Sequence, residues 1–227
     1  MFQGFSEDTI QFFLDIKFHN SAEFFHQNKP RYERVKQEFA SLIYALEESM
    51  SKVDEKFDFR PGKSLARLRR DVRFTKDKTP YRDHLWFLLR RAAEQREGAP
   101  MFWFELTLEK ATFGVGVWGE YKPYYDMLRR ELSANPKPLA KIVKPIIKSG
   151  FTIYGERLKR IKIPPNIEGD MADIYRAKSL YITKDILPYT LVFEPKLTDY
   201  LLEEYQKLVP FYHYARTITD KVLMENQ

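Results

Sequence analysis

The chain has 227 residues, a net charge of +6 and no cysteine. A chain of this length buries roughly 70% of its unfolded surface, so it needs neither disulfide nor metal to hold a core. The missing thiols exclude cysteine nucleophiles, disulfides and cysteine-based zinc sites. No apolar run approaches the roughly 20 residues of a membrane span. Residues Met1 to Asp8 are acidic where a secretory leader would be basic. These features point to a soluble, cytoplasmic protein with no membrane partner. An isoelectric point near 9.2 favours an anionic partner over a cationic one.

Ser6 is placed to cap a first helix in which Ile10, Phe13 and Leu14 recur at helical spacing. A short second helix starts after Ser21. Pro30 suits the first turn of a third helix, over about 30–50, where its missing N–H costs nothing. Val35, Phe39, Leu42, Ile43 and Leu46 make one apolar stripe along it. From Leu65 to Phe74 the period changes to two. Ala66, Leu68, Val72 and Phe74 alternate with Arg67, Arg69, Asp71 and Arg73, which predicts a half-buried strand. Arg70 falls on its apolar side, where a buried guanidinium needs an acidic partner. Asp77-Lys78-Thr79-Pro80 reads as a turn.

Residues 84–91, 101–109 and 112–118 are predicted strands, joined by short links as in an antiparallel sheet. After Gly119 come a helix opened by Pro123 and another opened by Asn135-Pro136, which Pro145 is expected to kink or end. A strand is predicted over 151–155, with helices near 170–177 and 196–208. Helices, then strands, then helices again predict an α+β fold, an antiparallel sheet flanked by helices from both ends of the chain, in one domain over residues 1–227.

The charge is uneven. Between Arg60 and Arg91, eleven Lys or Arg stand against three Asp and no Glu. On one strand face, residues two apart lie about 6.6–7 Å apart. Arg69 and Arg73 would therefore flank Asp71, with Arg67 next in line. Guanidinium forks suit phosphate and carboxylate oxygens. Lys76, Lys78 and Arg82 are placed to close over the same anion, and Thr75 and Thr79 to add hydroxyl donors. The competing interpretation is structural: Asp71, Asp77 and Asp83 neutralise their neighbours and the rest is solvated.

The stretch Arg70-Asp71-Val72-Arg73-Phe74-Thr75-Lys76-Asp77-Lys78-Thr79-Pro80-Tyr81-Arg82 resembles the signature of an uncharacterised family, domain of unknown function 2461. That signature is Arg-Asp-x-Arg-Phe-Ser-x-Asp-Lys-Ser-Pro-Tyr-Lys, and threonines and an arginine stand here for its serines and final lysine. Asn28-Lys29-Pro30-Arg31-Tyr32, Gly114-Val115-Gly116 and Gly155-Glu156-Arg157-Leu158-Lys159-Arg160 are similar to three further family segments. Ala177 to Tyr181 falls where the family has a lysine-bearing helix end. The resemblance implies an α+β single domain and no particular reaction. The chain departs from the family at Asp83-His84-Leu85-Trp86, where a glycine-containing strand is expected, and at Glu168-Gly169-Asp170, where Asp-His-Pro is expected.

Other motifs carry less. Gly114 to Gly119 fits G-x-G-x-x-G, but Val115, Val117 and Trp118 read as strand, so no dinucleotide site is expected there. Tyr121, Tyr124, Tyr125, Tyr212 and Tyr214 are placed to stack bases or to edge the core. The four histidines show no metal-ligand spacing. Glu156 to Arg160 is either a second anion contact or a solvated turn. The resulting expectation is a binder of a phosphate-bearing or otherwise anionic small ligand through Arg69, Arg70, Asp71, Arg73, Lys76, Asp77, Lys78 and Arg82. Arg70 and Arg73 would clamp it, with Asp71 and Asp77 orienting the cations. An enzyme on a phosphorylated or nucleotide-like substrate at this site is the alternative. Non-specific nucleic-acid binding is less favoured. No cofactor is specified.

Overall fold

The computed structural model describes residues 1–225. The sheet has the strand order β1-β2-β3-β5-β4, from β1 (Leu85–Leu89), β2 (Pro100–Leu106), β3 (Ala111–Val117), β4 (Thr152–Tyr154) and β5 (Leu180–Asp185). Helices α1 (Glu7–Phe18), α2 (Ala22–Gln27), α3 (Lys29–Ser51) and the single turn α4 (Pro61–Ser64) precede it. Helices α5 (Lys122–Ala134), α6 (Lys137–Lys148) and α7 (Asp170–Tyr175) interrupt it, and α8 (Leu197–Glu225) follows it. The fold is α+β with an antiparallel sheet, as the alternation of patterns predicts.

The chain forms two compact units. The first comprises Met1–Leu89, Trp103–Phe113 and Asp185–Glu203. Ser6 caps α1 by accepting from the Thr9 N–H at 3.3 Å. The α1 side chains Phe12, Phe13 and Ile16 are fully buried, as are Phe39, Leu42, Ile43, Leu46 and Met50 of α3, and the two helices pack together. Phe104 stacks on Phe5 and Phe87 with ring centroids 5.9 and 5.5 Å apart. Between α1 and α3, Arg31 bonds Asp8 and Asp15, and its hydrogen bonds hold both carboxyls below their ordinary range despite partial burial.

The second unit comprises Arg90–Phe102, Gly114–Lys184 and Glu204–Gln227, of which residues through Glu225 are described. Strands β4 and β5 pair Thr152 with Thr183 and Tyr154 with Tyr181. On β3, a Cβ at Gly114 would lie 2.1 Å from the Ile182 carbonyl oxygen, and one at Gly116 2.4 Å from the Tyr181 ring. Those glycines permit close strand approach, and the G-x-G-x-x-G match therefore lies on a packed strand. Arg129 of α5 donates to the carbonyls of Tyr175 (2.9 Å) and Ala177 (2.5 Å), which satisfies backbone acceptors at the end of α7.

Three expectations are corrected. Residues 65–74 form no continuous strand: Leu65 pairs singly with Phe87 and Arg69 with Tyr81, while Phe74 is 91% exposed. Of the apolar positions in the alternation only Leu68 is buried, while Ala66 and Val72 are half-buried. Leu180–Asp185 is a strand between β3 and β4, where the family pattern suggests a helix end; Leu180 and Ile182 alternate inward. Helix α6 runs to Lys148 with Pro145 inside it, so of the two outcomes expected at that proline, a kink or an end, it is not the end. Helix α8 runs on past 208 through Pro210, because buried Phe211, Tyr212, Ala215, Ile218 and Val222 extend its apolar stripe.

Candidate functional site

The cation-rich stretch is a hairpin without regular strands. The Arg70 N–H donates to the Pro80 carbonyl at 2.8 Å, and the Arg82 N–H to the Leu68 carbonyl at 2.9 Å. Tyr81, at the base, has its backbone N–H and C=O turned to Asn20, whose side chain accepts at 3.0 Å and donates at 2.9 Å. The Tyr81 ring stacks on Phe25 at 4.5 Å. Phe25 also meets the ring of Tyr32, 5.4 Å away, and Tyr32 bonds the Leu68 backbone. Within the Asn28–Tyr32 segment it is thus Tyr32 that reaches the base of the hairpin. Burial raises the Tyr32 hydroxyl above its ordinary pKa, so it stays neutral.

The exposed loop, residues 71–79, is closed by its own side chains. Arg70 bonds Asp77 and Thr79. Asp77 also accepts from the Thr79 N–H and hydroxyl at 2.9 and 2.8 Å. Arg73 bonds Asp71 through Nε (2.9 Å) and a terminal nitrogen (2.6 Å). Lys78 donates to the Val72 carbonyl at 2.9 Å, and Thr75 to that of Asp77 at 2.7 Å. Arg82 lies over the Trp86 ring at 4.9 Å and donates to the carbonyls of Arg67 (2.7 Å) and Arg69 (3.2 Å).

These contacts sort the candidates. Arg70 is not buried under the sheet; its acid comes from its own loop. Arg70, Asp71, Arg73, Asp77 and Arg82 shape the backbone. Among the described residues, the side chains of Arg67, Arg69 and Lys76 have no hydrogen bond or ion pair. All three are exposed. Lys78 uses one of its three N–H donors. Asp83 is drawn off toward His84 (3.0 Å) and Lys17 (3.8 Å).

The electrostatics argue against acid–base chemistry by the loop carboxylates. The bonds from Arg73 hold Asp71 at about 2, and Arg70 pulls Asp77 well below the usual carboxylate range. Both are ionised acceptors at neutral pH and weak bases. Burial, followed by the charge of Arg70, lowers Arg82. No group of three or more His, Asp or Glu among the described residues is placed to hold a metal.

Elsewhere, Tyr124, Tyr125 and Tyr212 are buried, which removes them as base platforms. In the second basic cluster Arg157 pairs with Asp173 at 3.5 Å, while Lys159 and Arg160 are exposed. Arg67 lies next in line to the expected site residues but is not among them. The signal was the same alternation that marks Arg69.

No helix among the described residues is long and apolar enough to cross a membrane. No curated protein and no solved structure matches the chain. The family described as conserved hypothetical protein (DUF2461) matches residues 8–214, which include the hairpin and its supporting helices, and the chain belongs to that family.

Proposed function

We propose that the chain binds a phosphate-bearing or otherwise anionic small molecule at the Arg67–Arg82 hairpin. The observation that carries this reading is the division of labour among its cations. Arg70, Arg73 and Arg82 are consumed in shaping the loop, while Arg67, Arg69 and Lys76 stand exposed without acidic partners. A purely structural network would leave fewer cations unpaired. Arg69 offers a guanidinium fork, and Lys76 and Lys78 are point charges able to follow the ligand. Asp71 and Asp77 act by ordering the loop. A cytoplasmic location fits the absence of cysteine. The two units each draw three segments from along the chain, which supports reading residues 1–227 as one folding domain.

A thermal-shift screen of nucleotides, sugar phosphates and polyphosphate at low and high salt tests the binding. A ligand at 100 times its Kd stabilises by about 2.7 kcal/mol, which for this size is roughly 5–10 °C. The expected result is a salt-resistant shift with one compound class, lost in Arg69→Ala/Lys76→Ala. No shift with any compound contradicts the proposal.

A further inference from the structure

A second concentration of positive charge lies outside the hairpin. Between Lys137 and Lys162, eight Lys or Arg stand against one acid, Glu156, a net +7 in a chain whose total is only +6. Helix α6 carries half of them, at Lys137, Lys141, Lys144 and Lys148, and has no acidic residue. At 100° per residue these four fall within about 60° of one another, in a row about 16 Å long. All four are exposed, and among the described residues none has a side-chain partner. The opposite face, Leu139, Val143 and Ile146, is buried.

The chain leaves α6 through Ser149–Phe151 into β4, which pairs only with β5 and ends at Tyr154. Tyr154 is 69% exposed, one of few large aromatic side chains so placed. Exposed Lys159, Arg160 and Lys162 follow.

We propose that residues 137–162 bind single-stranded nucleic acid, with the α6 lysines along the phosphodiester backbone and Tyr154 as a stacking platform for a base. A linear row of point charges fits an extended polyanion, and an exposed ring six residues past its last lysine fits unpaired bases. A membrane surface fits less well, since an interfacial helix inserts its apolar face and that of α6 is already packed inside the protein. The surface shares no residue with the hairpin site.

Fluorescence anisotropy with a labelled oligouridylate, its matched duplex, and phosphatidylserine vesicles tests this. Four lysine–phosphate contacts predict that log affinity falls by about 2.8 per tenfold rise in salt, or roughly 600-fold. The variant K137Q/K141Q/K144Q/K148Q removes only unpaired surface charges, so it should melt like the wild type while losing that slope. Tyr154→Ala should weaken single-strand binding roughly 5- to 150-fold. Arg69→Ala/Lys76→Ala should leave it unchanged, which separates this surface from the hairpin. The proposal is overturned if wild type does not bind the oligonucleotide at low salt, or if the quadruple variant binds as well as wild type. Equal overturning results are duplex binding at the same strength with no effect of Tyr154→Ala, and vesicle binding alone.

Discussion

Replacing Asn20 by alanine probes how the hairpin is held. The Asn20 amide bonds both backbone groups of Tyr81, at 2.9 and 3.0 Å, and Tyr81 is only 6% exposed. Each bond contributes about 1 kcal/mol net, so losing both costs about 2 kcal/mol, and more if water cannot reach the freed groups. For a protein of this size that lowers Tm by roughly 4–8 °C. Asn20→Asp keeps the acceptor and loses the donor, and should fall between. Urea unfolding gives the stability change, and amide exchange at Tyr81 localises it. Because Tyr81 anchors the hairpin between Phe25 and Asn20, its exchange should accelerate in step with the loss of stability. A change under about 0.5 kcal/mol, the range of ordinary surface substitutions, with Tyr81 exchange unaltered, would refute the reasoning.

Gly114→Ala places a methyl 2.1 Å from the Ile182 carbonyl oxygen; it should cost roughly 3 kcal/mol or more, seen as poor soluble yield or a sharply lower urea midpoint. Glu204, whose side chain is 7% exposed, bonds Lys184 at 3.0 Å and Lys207 at 2.6 Å. Burial pushes its pKa up, but the two lysines outweigh that and leave it lowered. Glu204→Ala removes the acidic partner of Lys184, which is 23% exposed and keeps only neutral contacts to the Ser149 carbonyl (3.1 Å) and the Phe151 ring, and should cost up to about 3 kcal/mol by urea unfolding. Asp71 should titrate at about 2 rather than 3.8 in a carboxyl NMR titration. Since its folded value is depressed, its ordering of the loop is intact above about pH 4 and lost as pH falls toward 2; titration near 3.8 would remove the Arg73 contact from the account. If the chain is one folding domain, fluorescence and circular dichroism should report a single coincident unfolding transition.

Most elements were legible from periodicity and caps. Ser6, Pro30 and Pro123 each mark a helix start, and the stripe from Val35 to Leu46 identifies the buried face of α3. The alternation at 65–74 misled because it records charge spacing, not burial: Phe74 occupies an apolar position yet faces solvent. The Asp77-Lys78-Thr79-Pro80 turn signal was the better guide to that segment. Strand β5 carried its own alternation in Leu180 and Ile182, masked by a family analogy to a helix end. Prolines 145 and 210 did not end their helices, since both face solvent and the apolar stripes continue past them. Within the site, composition exposed the excess of cations, but only the fold shows which are spent. That Arg70 closes on Asp77 and Thr79, while Arg67 and Arg69 stay open, depends on the path of the loop.

Whether the open cations of the hairpin form a specific anion site is decided by an NMR titration of the labelled protein with inorganic pyrophosphate. A specific site gives saturable shifts confined to the amides of residues 67–82 and the side chains of Arg67, Arg69 and Lys76, persisting at high salt and absent in Arg69→Ala/Lys76→Ala. Shifts that never saturate, or that spread equally over the α6 lysines and vanish with salt, would contradict it.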